Sequence, residues 1–153
     1  MAQLAHQPVG LGVEPAATFT TYSDVSAFTA SPPAPLPAAQ RALFVGVLER
    51  YKNVHGLADA WRLAAPRVPQ ATLRLIGTGR ERRVADALVR DFPGRVTWEE
   101  KVPPEAVAAA LDAATVFVLP SFSEGLPRVA MEAFARGRRD VGHSQMRPHH
   151  PRR

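Results

Sequence analysis

No cysteine occurs anywhere in the chain. That excludes disulfides and thiolate metal sites, and it fits a reducing compartment. No apolar run approaches the ~18 residues that a membrane span needs. The first residues lack the basic-then-apolar order of a secretory signal, so the expected location is the cytoplasm. Histidine offers no metal site either. His143, His149 and His150 crowd into the tail without a recognisable ligand spacing, and His55 reads as a surface residue at a helix start. Aromatic residues are sparse, at 7%, and none is interleaved with the basic residues of the tail to stack on bases.

The net charge of +5 is equally localised. Residues 1–135 hold 13 Lys/Arg and 13 Asp/Glu, whereas residues 136–153 hold six Arg and one Asp. The basic character therefore belongs to the tail, and no specific nucleic-acid partner is expected. Peripheral contact between this tail and an anionic membrane surface is left open.

What is present is enough sequence for one domain, 153 residues. Residues 1–40 read as a linker or edge segment, poorly ordered in part. Ser31-Pro32-Pro33-Ala34-Pro35-Leu36-Pro37 suits neither a helix nor a central strand. Tyr22, Val25 and Phe28 are spaced to pack against a neighbouring domain. From Arg41 the pattern changes. Ala42–Val47 is an apolar run of the kind that forms a strand buried on both faces. Asn53 caps a helix that buries Val54, Leu57, Trp61 and Ala64. Ala71–Ile76 is a second strand, closed by Gly77-Thr78-Gly79. A helix carrying Val84, Leu88 and Phe92 follows, then a short strand at Arg95–Trp98. Pro103-Pro104 opens a third helix, burying Val107, Leu111 and Ala114. Thr115–Leu119 is a fourth strand, and Pro127 opens a helix to about Arg136. A fifth strand is open at Gly137–Gly142. The alternation predicts an α/β, Rossmann-like parallel sheet with helices on both faces, spanning residues 41–137. Residues 138–153 read as a basic disordered tail.

In such a sheet ligands bind outside the carboxyl ends of the strands. The loops there are Gly46–Lys52, Gly77–Arg80, Glu99–Val102 and Pro120–Leu126. The last is the most informative. It joins a strand end to a proline-opened helix, whose first amides are unpartnered and carry partial positive charge. Gly125 lets a ligand approach the backbone, so a phosphate or diphosphate suits this helix start. Glu124 and Glu132 bracket it, and carboxylates accept hydrogen bonds from hydroxyls, which suggests a sugar-bearing nucleotide. A plainer arrangement is equally open: Glu124 favours the helix dipole, and Glu132 pairs with Arg128 four residues back. Gly77-Thr78-Gly79 has no third glycine at dinucleotide spacing and reads as a tight turn.

Ser123-Glu124-Gly125-Leu126-Pro127 and Met131-Glu132-Ala133-Phe134-Ala135-Arg136-Gly137 carry two glutamates with seven residues between them. This resembles the signature of retaining GT-B glycosyltransferases of the family-4 type (glycosyl transferases group 1). Phe44-Val45-Gly46 followed by Lys52-Asn53, the Ile76-Gly77-Thr78-Gly79 loop and Val116–Ser121 match in the same order. The resemblance covers residues 41–137, and Tyr22–Phe28 is similar to the interdomain stretch of some members. It implies the donor-binding, C-terminal half of a GT-B fold, with a nucleotide sugar as substrate and no cofactor or metal. By the same resemblance Lys52 and Glu124 are catalytic. Lys52 neutralises the diphosphate, and Glu124 contacts donor-sugar hydroxyls. Gly125 and Leu126 hold the distal phosphate, Glu132 holds the ribose, Lys101 and Val102 offer backbone contacts to the base, and Gly46 is counted among the donor-binding residues. One position departs: Val47 stands where the family usually has an arginine, and Arg50 in the same loop is the candidate substitute.

The family's acceptor-binding N-terminal domain, which would receive a sugar or lipid-linked acceptor, has no counterpart here. The family's next strand and glycine-rich loop give way to an Arg/His/Pro tail. The expectation is a truncated chain, with a frameshifted or mispredicted end and no glycosyl transfer by itself. Two alternatives stand beside it: a noncatalytic nucleotide- or sugar-phosphate-binding module, and a degenerate fragment.

Overall fold

The computed structural model describes residues 25–124 and 127–142. A short helix, α1 (Ser26–Thr29), precedes β1 (Arg41–Val45), a 3-10 turn (Arg50–Lys52) and α2 (Val54–Ala64). Then come β2 (Thr72–Ile76), α3 (Arg82–Asp91), β3 (Val96–Glu99), α4 (Pro104–Ala113), β4 (Val116–Leu119), α5 (Arg128–Ala135) and β5 (Asp140–Gly142). All five strands are parallel, in the order β3-β2-β1-β4-β5. The chain thus winds one way from β1 through β3, then crosses back to β4 and winds the other way. The reversal lies between β1 and β4, and it opens a crevice between the loops that leave their carboxyl ends.

The two faces of the sheet bury separate cores. Phe44, Leu73, Leu75 and Val96 meet α2 and α3 through Leu57, Trp61, Ala85 and Leu88. Leu43, Ile76, Phe117 and Leu119 meet Ala108 and Leu111 of α4, Ala130 and Ala133 of α5, and Phe28 of α1. Strand alternation produces this division, since Leu43 and Phe44 of one strand must face opposite sides. β1 and β4 are apolar on both faces, as their sequences imply. β2 is not: Arg74, half-buried, pairs with Glu99 of β3 at 2.7 Å on the face toward α4. In α2 the helical period places Ala65, fully buried, in the core, and leaves Ala64 exposed.

The fifth strand left open at Gly137–Gly142 is present as β5, whereas Phe28 and Arg138 differ from the sequence reading. Phe28 is buried against this domain's own α4 and α5, not against a neighbour. The ordered unit also runs past residue 137. Arg138 is only 3% exposed, and Asp140–Gly142 pairs with β4 as the edge strand. Arg136, equally buried, donates to Asp112 and to the carbonyls of Phe28, Ser31 and Pro32. Arg138 donates to the carbonyls of Leu111, Asp112, Ala34 and Pro35. The proline-rich segment cannot join a ladder, so its carbonyls are free to accept these guanidinium bonds. Burial pushes the Asp112 carboxyl up. The Arg136 hydrogen bonds, the Ala34 amide and the charges of Arg136 and Arg138 outweigh burial and hold it below its ordinary value. This arginine clamp gathers at the carboxyl ends of α4 and α5, on the opposite edge of the sheet from the β1–β4 crevice.

Candidate functional site

The crevice is built by two loops that bind each other. After β1 the chain passes Gly46, turns through Arg50–Lys52 and enters α2 at Asn53. Asn53 is left-handed, at φ 53°. Asparagine tolerates that region because its short amide bonds locally. Its Oδ1 accepts from the Gly56 amide at 3.2 Å and its Nδ2 donates to the Pro120 carbonyl at 3.1 Å. The Phe122 amide donates to the Tyr51 carbonyl at 2.9 Å. These two bonds to backbone carbonyls hold the β1 loop to the β4 loop across the crevice, beside the Lys52–Glu124 pair.

Between them Lys52 points inward. It is only 8% exposed, and its Nζ donates to Glu124 Oε1 at 2.5 Å. Its stem passes Gly46, where an added Cβ would lie 3.8 Å from Lys52 Cε. The Tyr51 ring centroid lies 5.3 Å from the ammonium, within cation–π range. Ser121, 3% exposed, lies between the two pinned positions, and its hydroxyl has no hydrogen-bond partner among the described residues. Tyr51 and Phe122 are exposed around this polar centre, as is Val47.

Glu132, in α5, is 7% exposed and accepts from Arg128 Nε at 2.8 Å, the plainer of its two arrangements. Lys101 is exposed on the turn between β3 and α4, and Val102 packs its side chain into the second core. Arg50 is exposed. Gly125 and Leu126 lie outside the described residues. The tight turn expected at Gly77-Thr78-Gly79 comes one step later. Gly77 and Thr78 run on beside the β1 loop, with the Leu48 amide donating to the Thr78 carbonyl at 2.9 Å, and the chain turns after Gly79, whose carbonyl accepts from the Arg82 amide. Neither glycine leaves room for a side chain. A Cβ at Gly77 would fall 1.8 Å from the Gly46 carbonyl oxygen, and one at Gly79 would fall 2.4 Å from that of Leu48. This segment thus backs the β1 loop. Among the described residues no cluster of three or more His, Asp or Glu is placed to hold a metal. No described helix is long and apolar enough to cross a membrane. A cleft of about 570 Å³ lined by Ala38–Gln40 and Arg67–Gln70 opens at the amino edge, away from these groups.

Residues 39–147 match the family described as "Glycosyl transferases group 1". The chain belongs to this family. A D-inositol 3-phosphate glycosyltransferase of Pseudarthrobacter chlorophenolicus is 36% identical over 110 residues, covering 66% of this chain and 26% of that protein. A sucrose-phosphate synthase of Thermosynechococcus elongatus is 30% identical with a TM-score of 0.58, covering 81% and 31% of the two chains. TarM of S. aureus, solved as a mutant with fondaparinux, alpha-GlcNAc-glycerol and UDP, is 16% identical. It superimposes with a TM-score of 0.65, covering 73% of this chain and 23% of its own, a likeness of fold. The chain spans 26–33% of the length of the curated relatives it matches. As a group 1 glycosyltransferase domain it has the α/β parallel sheet of the GT-B structures. Asn53 and Ser121 are the site residues that sequence reasoning did not single out for this crevice. Both fall inside the family-like segments Lys52-Asn53 and Val116–Ser121, but in the sequence Asn53 reads only as a helix cap and Ser121 has no assigned role.

Proposed function

We propose that this chain is the donor-binding half of a glycosyltransferase moving a sugar from a nucleotide sugar to an acceptor, with retention at the anomeric carbon and without a metal. The observation that carries the reading is the inward Lys52 paired with Glu124 where the winding of the sheet reverses. Departure of a nucleoside diphosphate builds negative charge, and a fixed, largely desolvated ammonium lowers the energy of that charge. Glu124 accepts from sugar hydroxyls. Gly46 keeps the wall beside Lys52 low, and Gly125 and Leu126 offer amides to the phosphates. Lys101 and Val102 lie beyond β3, two strands and roughly 10 Å from β1, a reach that suits a base contact through backbone atoms. Glu132 is assigned to the ribose, and its bond to Arg128 must yield for that role.

Titration of the chain with UDP and with GDP tests this. One of them binds, and Lys52→Ala weakens it at least about tenfold, the scale of a charge-assisted hydrogen bond. No binding of either, or an unchanged constant in the variant, overturns the reading. The chain alone is expected to bind without transferring, and turnover by the purified chain would refute that part.

Val47 supports a second reading, a noncatalytic nucleotide-binding module. It is 44% exposed beside Gly46, where the family usually carries an arginine. That reading predicts the same nucleotide affinity, with no turnover even when an acceptor-binding domain is supplied.

A further inference from the structure

Lys52 and Glu124 are bonded to each other, although the proposed reaction sends them to different parts of the donor. Lys52 belongs with the diphosphate and Glu124 with the sugar. The pair is tight and largely out of water, at 2.5 Å with side-chain exposures of 10% and 20%. Lys52 Nζ has no other hydrogen-bonding partner among the described residues. A diphosphate reaching Lys52 must therefore compete with the Glu124 carboxylate for the same ammonium. It must also approach a carboxylate that repels it.

We infer that Glu124 is a specificity-determining residue that makes the site discriminate against a nucleotide diphosphate carrying no sugar. This rests on the reading of the crevice as a donor site. A bare diphosphate takes Lys52 and leaves Glu124 charged, partly buried and without its partner, which is costly. A nucleotide sugar takes Lys52 as well, but its hydroxyls donate to the freed carboxylate and restore its hydrogen bonds. The same carboxylate that recognises the sugar thereby weakens the hold on the product once the sugar has gone. Discrimination of this kind works through the unfavourable state left behind, not through an added contact.

The consequence is opposite in sign to that of deleting an ordinary binding residue. Glu124→Gln keeps the shape, removes the competing charge and weakens the hold on Lys52, because an amide oxygen accepts less strongly than a carboxylate, so a bare diphosphate binds more tightly. UDP, GDP and inorganic pyrophosphate are titrated into the intact chain and into the variant by calorimetry. Glu81→Gln serves as the control, because it removes one negative charge from an exposed pair with His55. The expected result is about tenfold tighter binding of whichever diphosphate binds the parent, and little change in the control. A constant that is unchanged or weaker in Glu124→Gln overturns the inference while leaving the donor site standing. Equal tightening in Glu81→Gln also overturns it, since net charge would then account for the effect. Binding of none of the three probes by either protein overturns the site reading together with the inference.

Discussion

The two edges of the sheet each bury cations, and they treat them differently. At the amino edge, Arg136 makes five hydrogen bonds, two to Asp112 and three to backbone carbonyls. Arg138 beside it also bonds to backbone carbonyls. At the carboxyl edge Lys52 is held by one carboxylate, and the hydroxyl of Ser121 nearby is unmatched. A guanidinium presents five donors in a fixed fork and suits a permanent junction. An ammonium held by one exchangeable partner suits a place where a ligand arrives. Burial of charge does not by itself mark a functional site; what distinguishes the two edges is whether the partners are backbone or are themselves available to a ligand.

The sharpest way to break this comparison is at the clamp. Arg136→Ala strips Asp112 of its main partner and frees the carbonyls of Phe28, Ser31 and Pro32. The expected loss is about 3–5 kcal/mol, the scale for breaking a buried ion pair, read as a fall in denaturation midpoint. Lys52→Ala should lower stability much less, because it removes one hydrogen bond where Arg136→Ala removes five. Equal losses in the two variants would mean that the edges are not distinct in kind.

That clamp was also the part least legible in the sequence. The strands and helices were readable because each signal is local: apolar runs at β1 and β4, Pro104 at a helix start, Asn53 at a cap. Lys52 and Glu124 could be picked out because ordered motifs place them on the first and last of four loops at one edge, and the strand order brings those two loops side by side. Arg138 had no such signal. Its partners lie 26 to 104 residues away, and beside Arg139 and a histidine-rich tail it reads as solvated charge. Phe28 was misjudged for the same reason: an apolar residue announces burial but not the surface that buries it. The helical period leaves α2 uncertain by one residue, which is why Ala65 fills the place expected of Ala64. The pairing of Glu132 with Arg128 was written into their i,i+4 spacing, but spacing alone could not rank it against a ribose contact.

Acid sharpens the comparison with a smaller effect. The Asp112 carboxyl is held below its ordinary value near 3.8. At pH values between the folded and unfolded values the unfolded chain binds more protons, so stability rises with pH in that window. The contribution is complete above about pH 4–5 and is lost as pH falls through the lower, folded value. Asp112→Asn removes it at every pH. Denaturation midpoints of the two proteins should differ most near neutrality and converge on acidification below about pH 4. A gap that stays constant from pH 7 to pH 2 would show that the clamp does not depend on the carboxylate charge.

The smallest expected effect concerns Asn53, the side-chain bridge of the carboxyl edge. Its backbone is left-handed and its amide serves both Pro120 and Gly56. Asn53→Gly keeps the backbone conformation at no steric cost and deletes both bonds. Asn53→Ala deletes the same bonds and adds left-handed strain of about 1 kcal/mol. The glycine variant should therefore lose about 1 kcal/mol through the bridge and the cap, and the alanine variant about twice that. Chemical denaturation of both separates the backbone contribution from the bridge. Nucleotide affinity should fall in both, because the Tyr51–Asn53 turn that carries Lys52 then keeps the Phe122–Tyr51 backbone bond as its one remaining link to the β4 loop besides the Lys52–Glu124 pair itself, among the described residues. A glycine variant as destabilised as Arg136→Ala would make the carboxyl edge a structural junction of the same kind as the amino edge. A glycine variant with unchanged nucleotide affinity would leave the Asn53 amide a helix cap, and the register of Lys52 against Glu124 would rest on that backbone bond.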